Sequence, residues 1–221
     1  MDWRLHWLEA EGELGPWRSA IMAEIEAARR VLAVHVAVPR LDILVQRLAG
    51  AVIPEIGMVG HAQHKSLFAV TLDPDNPRFA RSLEDGTLRR QVAHEAHHCL
   101  RMAGPGYGRS LGEALVSEGL AGRFTAYLFG NPPEPWECAV DDATLRAHLP
   151  DAAALAECSY DHASWFYGTG QARPRWLGYT LGYRMVGDWL AATPEVSGGL
   201  WVDVSATEVM AAAHVGVLRR R

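Results

Sequence analysis

Apolar positions change their period along the chain, and each period predicts an element. From Pro16 to about Val38, Ile21, Ile25, Ala28 and Leu32 recur at three- and four-residue steps, the spacing of one helix face. Pro16 suits a first helical turn, and Pro39 stops the helix. Two short β-type runs follow, LDILVQRLA and AVIPEIG, with Pro54 placing the second at an edge or a bulge. The run Ser66 to Leu72, SLFAVTL, is the strongest strand pattern, closed by the turn residues DPDNP. Beyond it the spacing is helical: helices are expected near 87–103, 111–129, 141–148, 151–157, 174–192 and 205–214.

Strands first and helices later predict an α+β fold, with a small, mostly antiparallel sheet packed on helices and a mainly helical C-terminal half. The 221 residues suit one domain. The proline-rich GNPPEPWE segment could divide it into two lobes, 1–130 and 131–221.

Composition narrows the function classes. Apolar residues make up 49% and charged residues 21%, a globular balance. A net charge of −5 argues against general nucleic-acid or anionic-membrane binding, which requires a basic surface. The N-terminal MDWRLHWLEAEGELG lacks the continuous apolar core of a signal peptide, and VLAVHVAV is too short to span a bilayer. Three widely spaced cysteines, Cys99, Cys138 and Cys158, do not form a disulfide framework, so the expected compartment is the cytoplasm.

The chemistry concentrates in VAHEAHHCL, Val92 to Leu100. On a helix from Thr87 to Ala103, Leu88, Val92, Ala96, Cys99 and Ala103 share the expected core face. His94 and His98, one turn apart, lie within about 40° of each other and can reach one ion. Glu95 is rotated by about 100° from His94, beside the ion rather than on it. That is the H-E-x-x-H arrangement, in which two histidines bind zinc and the glutamate is a general base. His97 is left to a supporting role or to solvent. Cys99 points away and is expected to be a small buried hydrophobe.

A catalytic zinc takes three protein ligands and leaves a position for water. The next helix offers Glu113 and Glu118, about 140° apart. Glu118 falls on the apolar stripe of Leu111, Ala114, Leu115, Ala121 and Gly122, where a carboxylate is costly unless it is paired or binds a cation. This selects Glu118 as the third ligand. An ion pair with Arg90, Arg101 or Arg123 is its alternative use. Gly119 and Gly122 are expected to let this helix approach a neighbour closely.

HEAHH, 19 intervening residues and then Glu118 in LVSEGLA resemble the gluzincin pattern of metallopeptidases. More closely, VAHEAHHCLR, EALVSEGLA and GYTLGY together resemble a bacterial family of predicted zinc-dependent proteases, a domain of unknown function, over roughly residues 60 to 192. The resemblance implies a zincin-like fold, Zn2+ on His94, His98 and Glu118, and Glu95 as base. It also implies a donor to the oxyanion from a downstream tyrosine. Tyr179, which opens a Y-x-x-G similar to that of zinc aminopeptidases, is the first choice and Tyr183 the second. No GxMEN segment is present, which argues against aminopeptidase activity. The strand Ser66–Leu72 is expected to be the edge on which a peptide substrate lies, with His61 and His64 exposed beside it.

The expected function is therefore hydrolysis of peptide bonds in a peptide or protein substrate, through a zinc-activated water with Glu95 as general base. A non-catalytic zinc scaffold or pseudo-enzyme is the alternative. A di-iron oxidase would need a second E-x-x-H besides Glu95–His98, and the chain contains none.

Overall fold

Strand alternation begins at the third residue. In the computed structural model, which describes residues 3–193 and 195–213, WRLHWL forms β1 (Trp3–Leu8), with Trp3, Leu5 and Trp7 turned inward and Arg4, His6 and Leu8 outward. Contacts divide the chain into two compact units, Met1–Ala103 and Gly104–Arg221.

In the first unit, β1 is followed by a 3-10 turn at Gly15–Trp17 and helix α1 (Arg18–His35). The predicted face of α1 is buried: Ile21, Ile25, Ala28 and Leu32, with Glu24 among them. The helix ends three residues before the expected Val38, because Val36 is already extended (φ −140°, ψ 158°). Pro39 disfavours helical backbone in the residue before it, and the β-branched valines favour extension. Strand β2 (Leu41–Arg47) then pairs parallel to β1, so β1-α1-β2 is a crossover unit.

AVIPEIG contributes only a bridge from Ile53 to Met58 and a turn, since Pro54 brings no donor to a ladder. The following strand is instead β3 (Met58–His64), which forms a hairpin with β4 (Leu67–Leu72). Strand order is β1-β2-β4-β3, with β2 and β4 parallel and β3 antiparallel to β4. The sheet is thus mixed, with two of its three pairings parallel, and not mostly antiparallel as expected. One parallel pairing comes from the β1-α1-β2 crossover, which the unrecognised first strand concealed, and the other arises because β4 rather than β3 lies beside β2. A second correction follows from the same order. Leu67–Leu72 is an interior strand, and the edges are β1 and β3, Met58–His64. His61 and His64 on the β3 edge are exposed, as expected.

A short α2 (Phe79–Glu84) leads into α3 (Thr87–Ala103), the motif helix, whose bounds match the prediction. Asp85 accepts from the Thr87 amide at 3.0 Å and its hydroxyl at 2.6 Å, starting the helix. Helix α3 packs on α1, β3 and β4. Arg89 grips Glu24 of α1 through two bonds of 2.8 and 2.6 Å, which fixes α3 against α1. Of the expected core face, Leu88, Val92, Ala96 and Cys99 are buried, whereas Ala103 at the last turn is exposed.

The second unit is helical. Helix α4 (Leu111–Phe129) has the predicted bounds because both ends carry strong signals. Ser110 and Glu113 form a reciprocal capping box, and Gly130 ends the helix in the left-handed region (φ 65°). The chain continues through the proline loop to α5 (Asp142–Ala147), α6 (Ala152–Ala156), α7 (His162–Tyr167), α8 (Leu177–Ala192), α9 (Leu200–Asp203) and α10 (Ala206–Ala213). The proline loop lies inside this unit. Residue 214, the expected end of the last helix, lies outside the described residues.

Helices α4 and α8 form the unit's central pair. A Cβ on Gly119 would sit 2.1 Å from the Gly182 carbonyl oxygen, and one on Gly182 would sit 2.2 Å from that of Leu115. The two backbones touch where neither has a side chain. The core around them includes Leu115, Leu120, Phe166, Leu181, Met185 and Trp189. Among the described residues, no helix is long and apolar enough to cross a membrane.

Candidate metal centre

One stretch of α3 buries an unusual amount of polar chemistry. His94, Glu95, His97, His98 and Arg101 are all buried, with His97 fully enclosed. Such groups are costly to bury unless each is compensated. His97 is therefore not a solvent residue. Its ring lies 6.4 Å from that of His98.

The helical spacing does what the sequence requires of His94 and His98. Their Nε2 atoms are 3.0 Å apart, with ring centroids at 4.7 Å and planes crossed at 81°. Two imidazole lone pairs this close repel unless a proton or a cation lies between them. Two nitrogens bound to one tetrahedral zinc at 2.0–2.1 Å would be separated by roughly 3.3 Å. The observed pair is within a few tenths of an ångström of that arrangement.

The Glu95 side chain lies against Gly60 of edge strand β3. A Cβ on Gly60 of β3 would lie 2.4 Å from both Cγ and Oε1 of Glu95. The glycine therefore opens the space that the carboxylate occupies. Its value is invisible in the sequence, where Gly60 is only a glycine in a weak strand pattern.

Cys99 is buried against β4, its thiol directed at the Leu67 carbonyl at 3.8 Å. Burial, and then the nearby Glu95 charge, push its pKa up to about 12. It behaves as the buried hydrophobe expected from its position.

Glu118 of α4 is buried at 8% exposure, whereas Glu113 is spent on the capping box. The Tyr107 hydroxyl donates to Glu118 Oε1 at 2.6 Å. Around this carboxylate stands a set of phenols. Burial, reinforced by the Glu118 charge, holds Tyr107, Tyr160 and Tyr179 above the usual tyrosine range. Tyr179 also packs edge-on against Phe166, Tyr167 and Trp176, with centroids at 5.1, 6.3 and 5.6 Å. Trp176 enters this cluster from left-handed backbone (φ 68°), a strained state for a bulky residue.

Tyr183 has different surroundings. The Arg123 guanidinium lies 3.7 Å over its ring, and Arg123 Nε donates to its carbonyl at 3.0 Å. Burial raises its phenol and the arginine opposes that shift. Of the two predicted tyrosines, only Tyr179 is within the electrostatic reach of Glu118 that these shifts record. Tyr107 was not legible as a functional residue, although a tyrosine bracketed by two glycines in GPGYGRS is an available signal.

His94, His98 and Glu118 form a buried group that could hold a metal ion, one ligand atom from each lying within 4.8 Å of the others. The donor set, two imidazoles and a carboxylate, is one that catalytic zinc sites use. An α+β chain with such a group belongs among candidate metalloproteins, and comparison with known families narrows the class. Residues 23–211 match the family described as Predicted Zn-dependent protease (DUF2268), and the chain belongs to that family. No curated protein and no solved structure matches it significantly.

Proposed function

We propose that the protein is a zinc-dependent peptidase of the gluzincin type, with a zincin-like fold, acting on a peptide or protein substrate. The observation that carries this reading is the buried group of His94, His98 and Glu118 with Glu95 beside its two histidines. Family membership supports the same metal and the same reaction class.

The three residues would hold Zn2+ as two neutral imidazoles and one carboxylate. When bound, zinc would supply a Lewis acid that acidifies a water and polarises the scissile carbonyl. Glu95 accepts the proton of the attacking water and returns it to the leaving amine. Gly60 leaves the Glu95 carboxylate the room it occupies during both transfers. Tyr179, a phenol kept protonated far beyond neutral pH, donates to the oxyanion. Tyr183, under Arg123, serves packing in this reading.

The test compares two variants in zinc content and in cleavage of a broad peptide library. Glu95→Gln is expected to keep zinc and lose about 10²- to 10⁴-fold in rate, the worth of a general base. His98→Ala is expected to lose both. Full activity in Glu95→Gln would overturn the mechanism. Zinc binding by the wild type without cleavage of any peptide would favour a zinc scaffold instead.

A further inference from the structure

Glu118 is held by a loop that is shaped for the purpose. Between α3 and α4, residues 104–110 carry Tyr107 between Gly106 (φ 96°) and Gly108 (φ 101°). Both φ values lie where a side chain is strongly disfavoured. A Cβ on Gly108 would also lie 2.2 Å from the Glu113 Cβ, so this bend lies directly on the first turn of α4. Glu113 Oε2 accepts from the Arg109 and Ser110 amides at 2.8 and 2.9 Å, pinning the loop's last residues. Ser117 Oγ donates to the Tyr107 carbonyl at 2.6 Å. Residues 117 and 118 of one helix turn thus hold the two ends of Tyr107, its carbonyl and its hydroxyl.

We propose that Tyr107 is a positioning residue for Glu118, acting on the metal group through that carboxylate; the assignment rests on the zinc reading above. The hydroxyl-to-carboxylate bond of 2.6 Å is in the range of charge-assisted O–H···O⁻ bonds, stronger than neutral ones. A carboxylate accepts at about four lone-pair positions on two oxygens, so one bond from Tyr107 is compatible with a metal on the same group. It removes the rotational freedom that an unsupported glutamate would lose on binding the ion. Groups that orient a ligand in this way contribute to metal affinity without touching the metal.

Tyr107→Phe deletes only the hydroxyl. Zinc affinity is measured on the full chain by competition with a chromophoric chelator, alongside melting of the metal-free protein. The expected result is affinity weaker by about 10- to 100-fold in a variant that stays folded without metal. In a Glu118→Ala background the same substitution is expected to add nothing, because its effect passes through Glu118. Ser117→Ala, which releases only the Tyr107 carbonyl, shifts affinity in the same direction. Wild-type affinity in both Tyr107→Phe and Ser117→Ala overturns the assignment, as does an equal loss in the Glu118→Ala background. A wild-type protein that binds no zinc overturns the zinc reading and this assignment together.

Discussion

Replacing Gly60 by alanine tests whether the edge strand holds Glu95 in its working position. The backbone at Gly60 is ordinary strand, so the only direct change is one methyl group. That methyl would lie 2.4 Å from Cγ and Oε1 of Glu95, where ordinary contact begins at 3.4 Å. The difference, 3.4 − 2.4, requires a displacement of about 1 Å. Glu95 is 5% exposed, so its carboxylate has no open solvent to swing into. It is nonetheless the end of a flexible side chain and gives way more cheaply than the strand. Overpacking costs about 1–3 kcal/mol, partly offset by the roughly 0.4–1 kcal/mol that Gly→Ala gains through the unfolded chain. Net destabilisation of about 0–2.6 kcal/mol leaves the protein folded. A misplacement of about 1 Å in a reacting group costs on the order of 100-fold, or about 2.7 kcal/mol of barrier. The assay is kcat and KM on a peptide cleaved by the wild type, with zinc content measured on the same samples. The expected outcome is kcat down about 100-fold, zinc retained and KM nearly unchanged. Wild-type kcat in this variant would refute either the role of Glu95 or its support by Gly60.

Three further outcomes follow from the structure. Thiol labelling of the native protein at pH 8 should modify the exposed Cys138 and Cys158 and spare Cys99, whose buried thiol has a pKa of about 12; labelling of all three before unfolding would contradict its placement. Glu113→Ala should cost about 1 kcal/mol in chemical denaturation at neutral pH, by removing the capping box. Bonds from the Ser110 and Arg109 amides lower the Glu113 pKa in the folded state, so its contribution is present above the ordinary glutamate range and fades as pH falls through the lowered value; a cost that persists in strong acid would contradict this. Gly119→Ala drives a methyl group to 2.1 Å from the Gly182 carbonyl, a backbone atom that cannot swing aside, and should destabilise by about 3 kcal/mol or more in thermal melts.

The two helices that bear the candidate metal group were legible because local signals agree with tertiary use. Asp85 before α3 and the Ser110–Glu113 box and Gly130 around α4 set their bounds. The spacing of His94 and His98 and the apolar neighbours of Glu118 were equally local. What escaped was tertiary. WRLHWL alternates as a strand should, but its partner β2 lies more than 30 residues away, and without that pairing the parallel crossover cannot be seen. GHAQH has weak strand propensity and becomes a strand by pairing with β4. Missing it also misplaced the edge of the sheet. Tyr179 and Tyr183 look alike in sequence; only the fold puts Arg123 over one ring and Glu118 near the other. The Glu95–Gly60 and Tyr107–Glu118 contacts depend on loop and strand geometry that no periodicity encodes.

The central claim is that the protein binds zinc through His94, His98 and Glu118. Zinc K-edge X-ray absorption on stoichiometrically loaded protein tests it most directly. The expected spectrum shows nitrogen and oxygen scatterers only, at about 2.0–2.2 Å, with the outer-shell signature of two imidazoles, and His98→Ala, which loses the zinc, does not give it. A sulfur shell near 2.3 Å, or a spectrum unchanged by His98→Ala, would contradict the assignment.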